Sequence, residues 1–410
     1  MMGPVARALL LENPHSNADA ALEAAGLTVT RHAAAMSEDE LIDALHDVAV
    51  LGIRSQSQVT ARVLDAHPEL EAIGAFCIGT NQIDLAAASR LGVAVFNAPF
   101  SNTRSVVELA VSEIIALTRR LTERDRALHD GTWDKSAMGS HEVRGRTLGI
   151  IGYGNIGTQL SVVAEALGMR VIFFDIAEKL SLGNARRMSS LDALLAEADI
   201  VSLHVDGRPG NAGMFGGPQF AAMRAGACFI NLSRGFLVDV DALAENIRSG
   251  RIAGAALDVF PDEPRANGEP FESVLRGLPN VILTPHVGGS TEEAQENIGL
   301  FTSGKLGRYH RYGNTSLSVN LPSLSQAPTS ERARYRLAYL HRNTPGVLAL
   351  MNQTFAEYGC NIEGQTLATR GGIGYVVTDI SSDLPVEAVE ALRRMEDTIR
   401  MRQVEIPPVV

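Results

Sequence analysis

The stretch TLGIIGYGNIGTQLSVVAEALGMRVIFFD, residues 147–175, decides how the centre of the chain folds. Its first five residues form an apolar run that predicts a strand, and three glycines follow at positions 152, 154 and 157. The residues after them are typical of a helix that ends near Leu167, and a second apolar run, Val171–Phe174, stops at Asp175. A strand, a glycine-rich turn, a helix and a strand that ends in an acid predict a βαβ unit with parallel strands.

Each glycine of this turn has a task in the binding of a dinucleotide. Gly152 permits the tight turn, Gly154 leaves room for a pyrophosphate, and Gly157 lets the helix pack closely on the strand. The free N–H groups at the start of the helix attract phosphate. Asp175 can accept hydrogen bonds from both ribose hydroxyls and would repel a 2′-phosphate, so the unit predicts NAD rather than NADP. The alternative is a glycine-rich structural turn followed by a surface aspartate.

Composition and charge limit the class of protein. The chain has 410 residues, which is room for two to three domains of about 150 residues each. The net charge of −11 argues against nucleic acid or an anionic membrane as the main partner. The three cysteines are far apart in sequence and form no zinc spacing, so we expect free thiols in a reducing compartment and no metal. With no apolar run of about 18 residues, we expect no membrane span and a cytoplasmic protein.

The rest of the chain alternates strand-like and helix-like segments. A long helix is predicted to begin at Ser105, where Ser105 and Glu108 have the spacing of a capping box. The nucleotide-binding block, 102–288, is thus predicted to be inserted in a domain formed by residues 1–101 and 289–320. After a linker, 321–333, the segment 334–410 has the order βαββαβ, which predicts a ferredoxin-like domain.

Three polar side chains follow the predicted ends of strands in this block. His286 follows VILTP, Glu263 lies in LDVFPDEP, and Arg234 lies in NLSRGFLVD. Ligands bind at the carboxyl ends of strands in open α/β sheets, and an imidazole can take the proton that must leave a carbinol oxygen when its carbon loses a hydride. A carboxylate would hold the imidazole, and an arginine would bind a 2-oxo acid through two hydrogen bonds. Taken singly, His286 could equally be a core histidine, Glu263 a loop glutamate and Arg234 a surface arginine.

The motifs GYGNIG, NLSRG, DVFPDEP and TPHVGGST together resemble the D-isomer-specific 2-hydroxyacid dehydrogenases, and with FCIGTNQID, FNAPFSNTRSVVE and HRNTPGVL the resemblance covers nearly the whole chain. It implies an α/β fold: a doubly wound Rossmann-type NAD domain inserted in a flavodoxin-like substrate domain, with a C-terminal ACT domain. It also implies a catalytic triad of Arg234, Glu263 and His286. The cofactor contacts that the glycine turn and the resemblance give together are Gly152, Gly154, Asn155, Ile156, Gly157, Asp175, Leu232, Ser233, Arg234, Asp258, His286, Val287, Gly288 and Gly289.

The resemblance is strongest to members that act on phosphoglycerate. It implies NAD-dependent oxidation of 3-phospho-D-glycerate to 3-phosphooxypyruvate, the first step toward L-serine, and the capacity to reduce 2-oxoglutarate. Close relatives often carry extra basic residues after the Arg-Ser pair of the GIRSQSQVT segment, where this chain has Gln56 and Gln58. That departure bears on phosphate recognition. The substrate-binding residues implied are Arg54, Ser55, Asn102 and Lys135.

The C-terminal segment resembles an ACT domain, a module that often binds amino acids. In the phosphoglycerate-oxidising members it binds serine at a subunit interface, which implies that His341, Asn343 and Asn361 bind L-serine here and that the chain forms a homotetramer. The alternative is a module that only joins subunits. The segment SERARYRL before it contains no glycine, so any hinge there differs from a flexible glycine linker.

Two other functions stay open from the sequence. The first keeps the chemistry but changes the substrate to glyoxylate, lactate or another 2-oxo acid. The second is a binding protein, because some members of the superfamily sense NADH and act as transcriptional corepressors. A protein that binds NADH but turns over no 2-hydroxy acid would favour the second.

Overall fold

The computed structural model describes residues 6–264, 268–327 and 330–406. The chain divides into two compact units, Met1–Ser101 with Gln295–Val410 and Asn102–Ala294. Each unit has its own buried cores. The assignment of finer domain bounds, including the linker 321–333, stays a prediction.

The first unit begins with a parallel five-stranded sheet. Its strand order, β2-β1-β3-β4-β5, is the flavodoxin-like order, so the strand-like runs predicted before residue 101 are confirmed. The strands are β1 (Arg7–Leu11), β2 (Thr28–His32), β3 (Val48–Ile53), β4 (Ala72–Ala75) and β5 (Ala94–Asn97). The connecting helices are α1 (Asn17–Glu23), α2 (Glu38–Ala44), α3 (Ala61–Ala66) and α4 (Leu85–Leu91).

The second unit is a doubly wound sheet of seven parallel strands in the order β12-β11-β10-β9-β6-β7-β8. The strands are β6 (Thr147–Ile151), β7 (Arg170–Phe174), β8 (Arg186–Arg187), β9 (Ile200–Leu203), β10 (Ala227–Asn231), β11 (Ile252–Leu257) and β12 (Val281–Leu283). Its helices are α5 (Thr103–Arg119), α6 (Leu121–His129), α7 (Asn155–Ala166), α8 (Leu191–Glu197), α9 (Gly217–Ala222) and α10 (Val240–Arg248). Apolar residues on both faces of this sheet are buried, as a sheet covered by helices requires.

The start of the long helix α5 corrects one prediction. The helix begins at Thr103, with Asn102 as the N-cap residue and no side-chain cap. Ser105 instead shares a hydrogen bond with Thr291, 2.8 Å between hydroxyl oxygens. Glu108 accepts a hydrogen bond from Arg104 one turn earlier. The predicted capping box is wrong because both of its side chains have partners that the local sequence pattern does not reveal.

The C-terminal part of the chain follows α11 (Glu292–Tyr312) and forms an antiparallel four-stranded sheet in the order β14-β15-β13-β16. This is the ferredoxin-like order, so the βαββαβ prediction is confirmed. The elements are β13 (Tyr335–Arg342), α12 (Val347–Glu357), β14 (Ile362–Arg370), β15 (Ile373–Ile380), α13 (Val386–Arg393) and β16 (Thr398–Glu405). Apolar residues of β13 and β15 share a core with α11 and the first sheet. Among the described residues, no helix combines the length and apolar character needed to cross a membrane.

Candidate active site

The glycine turn after β6 has the geometry that a pyrophosphate requires. Gly152 has φ +90°, and a side chain there would overlap the backbone of His204. A side chain at Gly157 would overlap the carbonyl of Gly152, so this residue lets α7 pack against the turn. Gly154 faces open space and serves as the N-cap of α7 without a side-chain cap. The first N–H groups of a 12-residue helix are therefore available to a phosphate.

Asp175 is fixed at the end of β7, next to this turn. One carboxylate oxygen accepts a hydrogen bond from the Tyr153 N–H and the other from the Ala177 N–H, both at 2.8 Å. Each oxygen keeps a second lone pair, so the carboxylate can still accept from a ribose hydroxyl. The glycine turn, the uncapped helix start and this carboxylate fit NAD.

His286 and Glu263 form the central pair of the site. They follow the carboxyl ends of the adjacent strands β12 and β11, and the distance from His286 Nδ1 to a Glu263 carboxylate oxygen is 2.8 Å. The other Glu263 oxygen accepts from the Phe260 N–H at 3.0 Å, which fixes the carboxylate. With Nδ1–H directed at Glu263, the Nε2 atom of the ring is the one left for substrate chemistry.

The electrostatics of the pair suit a proton acceptor. The hydrogen bond to Glu263 raises the pKa of His286, because it stabilises the imidazolium form against the effect of burial. Burial by itself raises the pKa of Glu263, but the hydrogen bonds from His286 and the Phe260 N–H lower it overall. The charge of Arg234 contributes to the pKa of both groups, so the guanidinium lies within electrostatic reach of the pair.

Asp258 shapes the loop that carries His286. One of its oxygens accepts from the Thr284 hydroxyl at 2.6 Å and the Val287 N–H at 2.8 Å, and the other accepts from the Gly288 N–H at 2.7 Å. His286 itself has φ +54°, an unfavourable backbone conformation for a residue with a side chain. The hydrogen bonds of Asp258 on both sides of His286 hold the loop in that conformation. The structure thus gives Asp258 a positioning role in addition to its predicted contact with the cofactor.

Arg234 follows the end of β10, the strand beside β11. Its guanidinium donates to the Ser233 carbonyl at 2.6 Å, and its own carbonyl accepts from the Asn231 amide at 3.0 Å. The next residue, Gly235, lies so close to the Phe260 carbonyl that any side chain would overlap it. This close approach brings the arginine loop against the loop that carries Glu263.

Sequence reasoning missed Glu113, which lies on α5 and is 2% exposed. Neither carboxyl oxygen has a hydrogen-bond partner among the described residues. Burial, with the charge of Asp258 as a second cause, raises the pKa of Glu113 to about 8. The signal in the sequence is that Glu113, unlike Glu108, falls at the spacing of the apolar residues of VVELAVSEIIAL, a stretch that we predicted only to be a helix.

The remaining predicted cofactor contacts line the same edge of the sheet. Ser233 is held by a hydrogen bond from its hydroxyl to the Leu203 carbonyl at 2.7 Å, and Leu232 is buried beside it. Asn155 and Ile156 form the first turn of α7. Val287, Gly288 and Gly289 follow His286. As cofactor ligands, these residues stay predictions.

The predicted substrate-binding residues fall in both units. In the second unit, Asn102 packs against Gly289 and its side-chain oxygen is buried without a hydrogen-bond partner among the described residues, whereas Lys135 is exposed in an irregular segment. In the first unit, Arg54 and Ser55 follow the carboxyl end of β3, and the Arg54 carbonyl accepts from the Gln82 amide at 2.6 Å. All four stay predictions as substrate ligands.

The three predicted effector residues are not together within one chain. His341 is 3% exposed, and its Nε2 has no partner among the described residues; Asn343, after the end of β13, donates to the Gly371 carbonyl at 3.2 Å. Asn361 precedes β14, where Ile362 pairs with Ile380, whereas His341 pairs with Gly374 at the far end of β15. Six residues of strand separate the two places by about 20 Å. A site with all three residues therefore needs two copies of the chain.

Comparisons with known proteins agree with this architecture. The model of the D-isomer specific 2-hydroxyacid dehydrogenase, NAD binding domain, matches residues 111–288, and the model of the AHAS small subunit-like ACT domain matches residues 337–400. D-3-phosphoglycerate dehydrogenase of Haemophilus influenzae is 49% identical over 395 residues, which cover 96% of each chain. The enzyme of the same name from Escherichia coli K12 is 48% identical over 397 residues, again covering 96% of each chain.

The solved structure of a similar dehydrogenase supports the same architecture. D-lactate dehydrogenase from Aquifex aeolicus, solved with NAD and lactic acid, is 27% identical with a TM-score of 0.66, and the match covers 77% of this chain and 100% of that one. NAD is thus the cofactor that both the glycine turn and the related domains indicate. The chain belongs to the D-3-phosphoglycerate dehydrogenases, within the D-isomer specific 2-hydroxyacid dehydrogenase family, and it carries an ACT domain.

Proposed function

We propose that the chain oxidises 3-phospho-D-glycerate to 3-phosphooxypyruvate with NAD⁺, the first step of L-serine biosynthesis. The observation that carries the proposal is the 2.8 Å hydrogen bond between His286 and Glu263, with Arg234 in electrostatic reach, beside a glycine turn built for a dinucleotide. The relatives from Haemophilus influenzae and Escherichia coli K12 each match this chain over 96% of their length, and the name of both enzymes gives this substrate.

The mechanism follows from what each side chain can do. The glycine turn and Asp175 would hold NAD⁺, which would supply the acceptor for the hydride of the substrate's C2. Nε2 of His286 takes the proton of the C2 hydroxyl, and the ring becomes an imidazolium that Glu263 stabilises. Arg234 binds the substrate carboxylate and the oxygen that becomes a carbonyl, so its charge favours the product-like distribution of electrons. In the reverse direction the same imidazolium returns its proton.

The reverse reaction extends to other 2-oxo acids, because the proton and hydride transfers involve only the atoms around C2. We therefore include the reduction of 2-oxoglutarate to 2-hydroxyglutarate in the proposal. A dehydrogenase for glyoxylate or pyruvate is the competing function, and it differs only in which group binds the far end of the substrate. Arg54 and Ser55 are the proposed ligands of that far end.

The proposed substrate preference is tested by measuring NADH consumption with 3-phosphooxypyruvate, 2-oxoglutarate, glyoxylate and pyruvate and comparing their kcat/KM values. We expect the phosphorylated substrate to give the highest kcat/KM. The Arg54→Ala variant should lose about 10- to 100-fold in kcat/KM for it, the value of a hydrogen bond to a charged group. Arg62→Ala is the matched control, since that arginine pairs with Glu38 and Asp39 on the surface of the same unit. Equal kcat/KM for pyruvate and the phosphorylated substrate would favour the competing function.

We further propose that L-serine binds between two copies of the ACT domain and that the enzyme is a homotetramer. The proposal is supported by the distance between His341 and Asn361 within one chain, which leaves the three predicted residues able to surround one ligand only across an interface. Among the described residues the three cysteines form no disulfide, which suits the cytoplasm as the location that we propose.

A further inference from the structure

Two histidines and a glutamate converge at the edge of the first sheet where its strands begin. His46 lies between α2 and β3, His67 is the C-cap residue of α3, and Glu69 lies between α3 and β4. One possible ligand atom from each side chain lies within 4.8 Å of the other two. In the part of the chain that the structure describes, this is the one group of three such residues. It lies at the amino ends of β3 and β4, whereas Arg54 follows the carboxyl end of β3.

His67 is the buried member of the group, with 1% of its surface exposed. Its Nδ1 lies 3.0 Å from a Glu69 oxygen, and its Nε2 has no partner among the described residues. The exposed ring of His46 meets it edge-on, with 5.3 Å between ring centroids. A simple hydrogen bond between His67 and Glu69 explains two of the three residues. It does not account for the second imidazole, that of His46, which also has a possible ligand atom within 4.8 Å of the other two.

The chemistry of these side chains selects a class of ion. Two imidazoles and one carboxylate are a donor set that binds Zn²⁺ with a fourth position left for water. Mg²⁺ and Ca²⁺ prefer oxygen ligands alone. Ligands of a tetrahedral zinc ion lie roughly 3.3 Å from one another. The possible ligand atoms here are within 4.8 Å of one another, so the group must contract by up to about 1.5 Å around the ion. The exposed ring of His46 can make that movement.

Two arginines contact the loop that supplies Glu69. Arg400 donates hydrogen bonds to the carbonyls of Pro68 and Leu70, and its charge interacts with that of Glu69. The next acid, Glu71, accepts from Arg402 at 2.9 Å. The loop that supplies Glu69 is therefore held by two arginines of β16, the last strand of the ACT domain.

We propose that His46, His67 and Glu69 bind one zinc-class divalent cation per subunit. In the bound state, the hydrogen bond between His67 and Glu69 is replaced by bonds from the ion to His46, His67 and Glu69. The bound ion thereby fixes the loop of residues 68–71, which Arg400 and Arg402 contact. This site lies outside the catalytic group and is independent of the reaction proposed above.

The test uses metal-stripped full-length protein titrated with Co²⁺, whose visible absorption reports the geometry of its ligands. We expect one equivalent of Co²⁺ per subunit, the intense bands of a four-coordinate site, and loss of those bands when Zn²⁺ is added. The His46→Gln variant removes an exposed ligand, so the protein should fold normally and bind Co²⁺ at least about tenfold more weakly. His129→Gln is the matched control, since that exposed histidine lies 3.7 Å from Asp125 without a third ligand.

Three results would overturn the proposal. The first is unchanged Co²⁺ affinity in His46→Gln, and the second is the absence of bands in the unaltered protein. The third is loss of the bands in His286→Gln, which would place the ion at the catalytic pair instead. The readout is spectroscopic, so a failure of the proposed dehydrogenase activity would leave this test intact.

Discussion

The buried carboxyl of Glu113 makes the stability of the protein depend on pH in a direction that can be measured. In the unfolded chain this group titrates near 4.5, whereas burial raises the pKa to about 8 in the folded protein. Between these two values the folded state keeps a proton that the unfolded state releases, so stability falls as pH rises. At about 1.4 kcal/mol per unit of pKa, the full loss is up to about 5 kcal/mol, complete above pH 8.

The Glu113→Gln variant keeps the shape of the side chain and removes the ionisation. Relative to the unaltered protein, we expect it to gain stability steadily from pH 5 to pH 8, by several kcal/mol in total. Urea unfolding of both proteins at each half unit of pH measures the difference, and the comparison cancels the titrations that they share. Glu108→Gln is the control on the same helix, since Glu108 is exposed and its pair with Arg104 contributes about 0.3–0.5 kcal/mol at most. A constant difference between the Glu113→Gln variant and the unaltered protein across this range would show that Glu113 is ionised when folded.

Three further predictions concern the catalytic loops and the effector. Glu263→Gln removes the hydrogen bond that raises the pKa of His286. The acid limb of the pH profile of kcat/KM for oxidation should therefore move to lower pH. An acid limb at the same pH would contradict the pairing of His286 with Glu263. Gly235→Ala forces the two loops apart, so kcat/KM should fall by about 10²-fold, and retention of full activity would mean that their close approach is unnecessary. L-serine should inhibit NADH turnover, and inhibition that survives the double change His341→Ala and Asn361→Ala would rule out the proposed effector site.

The sequence predicted the fold well where the signal was local and repeated. The glycine turn and the terminal Asp175 predicted the βαβ unit at 147–175, and the alternation of strands and helices predicted both parallel sheets. The start of α5 was missed because the partner of Ser105 is Thr291, 186 residues away. The spacing of a capping box concerns residues that are neighbours in sequence, so it cannot predict a partner this far away in the chain.

The candidate site shows the same division. Arg234, Glu263 and His286 were selected because polar side chains at strand ends share one edge of a parallel sheet, and the structure brings Glu263 and His286 into hydrogen-bond contact. Their support was not foreseen. The role of Asp258 depends on the path of the loop around His286, and the raised pKa of Glu113 depends on burial that only packing creates.

The role of His286 in moving the proton is tested most directly by the turnover and NADH binding of His286→Gln. We expect kcat with 3-phosphooxypyruvate to fall by about 10²–10⁴, while the fluorescence of bound NADH shows that the variant still binds the cofactor. A variant that turns over at nearly the normal rate would contradict the assignment of His286 as the group that moves the proton.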